Sequence, residues 1–206
     1  MTPITPRLRA SLPRHSWTLG RRAPALVSML LSLLLPASLP ASALANPKDD
    51  LELLFQQLKT AGSAQQARNI QQKITLIWQD SGDEEINQLF QQAVFNLNLQ
   101  RLDSAIDKLS DILRQRPDFV EAWNKRATAY YLQGDMENSL NDIRKTLELE
   151  PRHFGALHGL GMIEIHLGHL RKALTTYRRI LEINPHSRHA RRQLHRLEAQ
   201  LFGNTT

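Results

Sequence analysis

Residues 117–151 read PDFVEAWNKRATAYYLQGDMENSLNDIRKTLELEP. The stretch runs from one proline to the next, with a glycine, Gly134, halfway between. Apolar and small residues recur three and four apart on both sides of that glycine, the spacing of one helix face. The stretch therefore predicts two helices joined by a tight turn. Gly134 suits the left-handed residue that ends the first helix. Pro151 stops the second helix and fixes the approach to whatever follows.

The same pattern extends in both directions. Pro117, Pro151 and Pro185 are spaced by 34 and 34 residues. On that period the first-helix apolar position reads Leu89, Trp123, Leu157, and the small position four residues later reads Ala93, Ala127, Gly161. The turn reads Gln100, Gly134, Gly168, and the second-helix small position reads Ala105, Ser139, Ala173. Large residues follow at Leu109, Ile143, Tyr177 and again at Ile112, Thr146, Ile180, with Thr146 the smaller exception. A small residue lets the partner helix approach closely, and each unit needs a neighbour to bury its apolar side.

With Ala122-Trp123-Asn124-Lys125-Arg126-Ala127, Tyr130, Gly134 and Pro151 in these places, the chain resembles the tetratricopeptide-repeat (TPR) family. Trp123 has no equivalent in the other units, and Asn96 and Glu164 replace the aromatic Tyr130. The strings Trp123-Asn124-Lys125-Arg126-Ala127 and Pro151-Arg152-His153-Phe154-Gly155-Ala156 are similar to small exported TPR proteins of Gram-negative proteobacteria. The resemblance implies an all-α solenoid of antiparallel helix pairs, with regular repeats at 86–119, 120–153 and 154–187. It also implies a protein-interaction module without catalysis or cofactor.

The flanks extend the array. Residues 46–85 form a degenerate helix pair by pattern, with helices over 49–60 and 64–80 and Gly62 at the turn. One stripe is Leu51, Leu54, Phe55 and Leu58; the other is Ala67, Ile70, Ile74 and Ile77. This pair is expected to serve as a degenerate repeat or an N-terminal cap. Residues 188–206 hold a polar capping helix and tail, with Leu194, Leu197 and Leu201 on the last repeat and arginines facing water.

Residues 1–45 read as an export signal. They carry five arginines and no acid. An apolar run, Ala25 to Leu35, is too short to cross roughly 30 Å of hydrocarbon as a helix. Pro36 and Pro40 break it, and Ala43-Leu44-Ala45 gives the small-x-small pattern of a cleavage site after Ala45. The expected location is the periplasm, with an uncleaved membrane anchor as the alternative. Arg21-Arg22 is followed by residues that fit a twin-arginine signal poorly.

The net charge of +6 belongs mostly to this leader, since the remainder holds 21 basic and 20 acidic residues. Within the remainder, residues 46–150 carry 12 basic and 17 acidic side chains, and residues 151–206 carry 9 and 3. The basic end includes Arg178, Arg179, Arg188, Arg191, Arg192 and Arg196. It serves as a solvated face or as a docking patch for an acidic partner or an anionic membrane surface. Few aromatic residues accompany it, which argues against nucleic acid. Self-association through the oppositely charged ends stays open.

Cysteine is absent, which excludes disulfides, thiolate metal ligands and a Cys nucleophile. Gly155, Gly159 and Gly161 fall inside a predicted helix with no strand before it, so they serve helix packing and not a phosphate loop. Seven of eight histidines follow residue 150, but none forms a His-x-x-x-His pair with a carboxylate on one helix. No metal site and no His–carboxylate site are expected.

By resemblance, the concave face is lined by four positions of each first helix. These are Asn87, Phe90, Val94 and Leu97, then Glu121, Asn124, Thr128 and Tyr131, then Gly155, His158, Met162 and Ile165. Lys125 lies beside Asn124. Such a surface suits a protein or peptide partner, with apolar spots for side chains and Asn124 and Lys125 for backbone or carboxylate. The full basic set of a carboxylate clamp is missing. Phe90, Val94 and Leu97 are also open to packing between repeats or under the N-terminal pair.

Overall fold

The computed structural model describes residues 47–203, so the export-signal reading lies outside the described residues. Among the described residues there are nine helices and no strand: α1 (Pro47–Lys59), α2 (Ala64–Trp78), α3 (Glu84–Asn98), α4 (Leu102–Gln115), α5 (Val120–Gln133), α6 (Met136–Leu149), α7 (Phe154–His166), α8 (Leu170–Ile183) and α9 (Arg188–Phe202). No helix among them is long and apolar enough to cross a membrane. The hairpins α3–α4, α5–α6 and α7–α8 are the three units marked by the 34-residue period, and α9 stacks on the last of them.

Each marker has its physical counterpart. All three turns between paired helices close with the same two hydrogen bonds. Arg101 N–H donates to Asn96 O, Asp135 to Tyr130 and His169 to Glu164, while Gln100, Gly134 and Gly168 donate to Leu97, Tyr131 and Ile165. This is the Schellman closure, which needs a left-handed residue. Gly134 and Gly168 supply it at φ 85° and 73°, and Gln100 adopts it at φ 58° despite its side chain. At the small positions Ala93, Ala105, Ala127, Ser139 and Ala173 are buried. Ser139 satisfies its hydroxyl by donating to Ala127 O at 2.8 Å.

The turns between units are also periodic. The carbonyls of Pro117, Pro151 and Pro185 accept from Trp123 Nε1, Arg179 and Arg191. Arg126 ties three helices together. It grips Asp142 of α6 with two bonds of 2.8 and 2.9 Å and donates to Ser110 of α4 at 3.0 Å.

The N-terminal pair forms its two expected helices but does not stack on α3 as a further repeat. Its own stripes do meet, through Phe55, Leu58, Ala67, Ile70 and Ile74. Trp78, not Ile77, is the buried end of the α2 stripe. The hairpin then lies along the row of turns between units, packing on Val120, Phe154 and Ile183, with α1 against α8. Arg152 pins it by pairing with Glu52 at 2.7 Å and resting over the Phe55 ring at 3.9 Å. His186 Nε2 lies 2.6 Å from Ala61 O at the far end. The outward face of α3, where a preceding unit would stack, stays open, with Phe95 and Leu99 exposed.

The capping helix follows expectation. Ala190 and Leu197 of α9 are buried and Leu194 and Leu201 pack beside them on the last unit, while Arg188, Arg191, Arg192 and Arg196 are exposed.

Candidate functional site

The twelve concave-face positions read from the sequence fall into three groups. Thr128 and Tyr131 of α5 and His158 and Met162 of α7 line one cavity of about 100 Å³, with Asn124 and Gly155 at its edge. Its floor is Ala127, Ser139 and Ile143. Thr128 and Met162 face solvent, and Tyr131 is half-buried on the core shared by α5, α6 and α7. Val94 and Ile165 are half-buried against the cores of their own units.

The second group belongs to the core. Phe90 and Leu97 are sealed, Phe90 against Phe119 with ring centroids 5.0 Å apart. Packing between the first two units accounts for Phe90, since Ala122 shares its cluster. The N-terminal hairpin has no part in that cluster.

The third group forms a polar knot on the hairpin's side of the concave face. The Glu121 carboxylate accepts from Asn124 Nδ2 at 3.1 Å and pairs with Lys125 Nζ at 3.0 Å. It also lies 2.8 Å from His153 Nε2. His153 caps α7, its Nδ1 accepting from Ala156 N–H at 3.1 Å. An accepting Nδ1 places the ring proton on Nε2, so His153 donates to Glu121. Trp78 closes the knot by stacking on the His153 ring at 4.1 Å and touching Phe154. Burial pushes the Glu121 carboxyl up, but His153 and Lys125 outweigh it and hold it below its ordinary value. Asn87 is likewise committed, bonding Ser81 and Asp80 in the turn before α3.

A His–carboxylate pair therefore exists where the sequence reading expected none. Its members lie on different helices, 32 residues apart, so no short motif announces it. Both ring nitrogens are engaged, and the two side chains retain only 2% and 3% exposure. The pair thus acts as framework. Trp78 could have been found, because it sits four residues after Ile74 and continues the α2 stripe.

His158 differs from His153. Its Nδ1 is buried without a hydrogen-bond partner, and its ring meets His189 of α9 edge-on at 4.9 Å. Burial, reinforced by His189, lowers its pKa to about 4. Among the described residues no three His, Cys, Asp or Glu side chains converge as metal ligands.

At the basic end Arg188, Arg191, Arg192, His195 and Arg196 share one exposed face of α9, with no acidic residue among the described residues that line it. Arg178 stands apart, paired with Glu198 at 3.0 Å, and Arg179 is held by Pro151 O. The patch read from the sequence is thus divided: Arg178 and Arg179 of α8 and Arg191 of α9 are engaged, the last by Pro185 O, while Arg188, Arg192 and Arg196 stand exposed on α9.

Residues 90–143 and 154–187 each match a family profile described as tetratricopeptide repeat. A TPR repeat-containing protein of Rhizobium etli is 38% identical over 165 residues, covering 80% of this chain and 81% of that protein. The Hsp70-Hsp90 organizing protein 1 of Glycine max is 28% identical over 108 residues, which are 52% of this chain and 18% of that much longer protein. Among solved structures, the first TPR of Spaghetti bound to an HSP90 peptide superposes with a TM-score of 0.54 at 22% identity, covering 58% of this chain and 95% of that one. The Sgt2 TPR domain of Aspergillus fumigatus gives 0.53 at 21% identity, covering 57% and 80%. The fold is the TPR solenoid, and TPR proteins mediate protein–protein interactions. By its repeat, its helix pairs and its relative in Rhizobium etli, the chain belongs to the tetratricopeptide-repeat family.

Proposed function

We propose that this protein is a non-catalytic interaction module of the bacterial cell envelope that holds a partner peptide on its concave face. The observation that carries this is the α5–α7 cavity. Tyr131 and Met162 offer apolar contact there, Thr128 and His158 offer polar contact, and the cavity opens beside the buried Asn124. Such a mixture suits a short extended segment whose side chains enter the apolar spots while its backbone meets polar groups. The Spaghetti TPR structure holds a peptide, which supports a peptide as the ligand class. Catalysis has no place in this reading, because the His153–Glu121 pair is sealed and fully engaged.

The envelope location rests on the leader, with its arginines, its short apolar run and Ala43-Leu44-Ala45. The mature protein then begins at Asn46, in the periplasm. N-terminal sequencing of protein recovered from the periplasmic fraction tests this, and a chain still carrying its leader in the membrane fraction overturns it.

The groove is tested by capture from an envelope extract, comparing wild type with Tyr131→Ala and Met162→Glu. Both side chains reach the cavity surface, so the variants should keep wild-type circular dichroism. Loss of the captured partner is expected, and unchanged capture by both variants removes the groove assignment. A second reading places an acidic partner or an anionic membrane surface on α9, favoured by its exposed arginine face. In that case Arg192→Glu, and not Tyr131→Ala, abolishes capture.

A further inference from the structure

The period makes every first helix present the same residues to the unit before it. On α5 these are Ala122 and Ala129, and on α7 they are Ala156 and Ile163; all four are sealed. On α9 the equivalents, Ala190 and Leu197, are sealed too. One period earlier α3 carries Gln88 and Phe95. Gln88 is exposed, Phe95 keeps 60% of its surface in solvent and Leu99 keeps 46%. The face by which every later unit docks is bare on the first unit, because the α1–α2 hairpin lies along the turns instead. Phe95 and Leu99, four residues apart, make one apolar strip on that face.

The charges around the strip say what it accepts. From Gln88 through Gln91, Gln92 and Phe95 to Leu99 the side chains of α3 on this face are uncharged, and Lys108 of α4 borders them, donating to Gln92 at 3.1 Å. Glu84 and Glu85 stand exposed at its N-terminal end, and Arg101 stands exposed just past its C-terminal end. A second α3 laid antiparallel across a two-fold axis meets opposite charge at both ends, and the two helix dipoles also oppose. A parallel partner would set acid on acid. The arginine face of α9 finds an uncharged strip here, so head-to-tail docking gains little. We infer that the exposed face of α3 is a homodimer interface, two copies pairing antiparallel with Phe95 and Leu99 as apolar anchors and Glu84 and Glu85 meeting Arg101.

One helix of 15 residues is about 22 Å long, which places the interface at the small end of specific ones. Sedimentation of the purified protein from about 1 to about 100 μM should show mass rising from monomer to dimer. Phe95→Glu should weaken the dimer about tenfold or more. Arg101→Glu should weaken it too, and adding Glu84→Arg and Glu85→Arg to that variant should restore it. Arg192→Glu on α9 should change nothing. The altered side chains are exposed, and circular dichroism confirms that each variant folds. A monomer at every concentration overturns the inference. So does a dimer that survives Phe95→Glu, or one that Arg192→Glu abolishes.

Discussion

His153 and Glu121 stand 32 residues apart in the chain, yet His153 Nε2 lies 2.8 Å from Glu121 Oε2 beneath the Trp78 ring. The bond joins the start of α5 to the start of α7, and the stacked indole adds α2 to the same point. One buried carboxylate thus holds two repeats and the N-terminal hairpin in register.

Replacing Glu121 by Ala should cost roughly 3–5 kcal/mol, because it leaves His153 N–H and Lys125 facing a buried gap. Urea unfolding at neutral pH measures this. The pH dependence follows from the direction of the shift. Glu121 is held below 4.5, so its contribution is intact above the ordinary carboxylate range and is lost as pH falls beneath it. Glu121→Gln should therefore lose less stability than wild type between pH 5 and acid, titrated over roughly two pH units.

His158 acts with the opposite charge logic at higher pH. Its folded pKa of about 4 lies below the ordinary 6.5. The unfolded chain takes up the proton first, so stability falls as pH drops from 6.5 toward 4 and levels off below. The loss by pH 5 should be about 2 kcal/mol, and His158→Gln should not show it. Comparing unfolding midpoints at pH 7 and pH 5 for the two proteins decides this.

Gln100 occupies the left-handed turn position that Gly134 and Gly168 fill elsewhere. A side chain there costs about 1 kcal/mol. Gln100→Gly should accordingly raise stability by about 1 kcal/mol, while Gly134→Ala and Gly168→Ala should each lower it by a similar amount. Thermal melts of the three variants should shift in those directions.

At Gly161 two effects compete. Alanine favours a helix interior by about 1 kcal/mol over glycine. A Cβ at Gly161, however, would sit 2.8 Å from Tyr177 Cε2, and that ring is fully buried. The clash should win, and Gly161→Ala should destabilise by about 1–3 kcal/mol. Adding Tyr177→Leu to the variant should recover part of the loss, and a double variant no better than the single would contradict the clash.

The repeat was legible because a one-dimensional array writes its contacts as a period. Gly134, Ser139, Ile143 and Pro151 each answer to neighbours inside one unit or the next, so the spacing carried the information. The concave face was half legible. Tyr131, Thr128, His158 and Met162 do meet at one cavity. Phe90 and Glu121 were read onto the same face and turned inward, one to Phe119 and the other to His153. Position within a repeat fixes the side a residue points to, and what covers that side depends on the neighbours.

The amino-acid sequence by itself determined the helix pairs, their turns, their order and the polar cap of α9, because each rests on contacts within one period. Only the tertiary structure decided where the α1–α2 hairpin lies. No periodic marker connects Trp78 to His153 or Glu52 to Arg152, since these contacts join an irregular hairpin to the array across long stretches of chain. That placement seals Glu121 and leaves Phe95 bare. The surfaces available to a partner were thus set by one packing choice that the repeat does not encode.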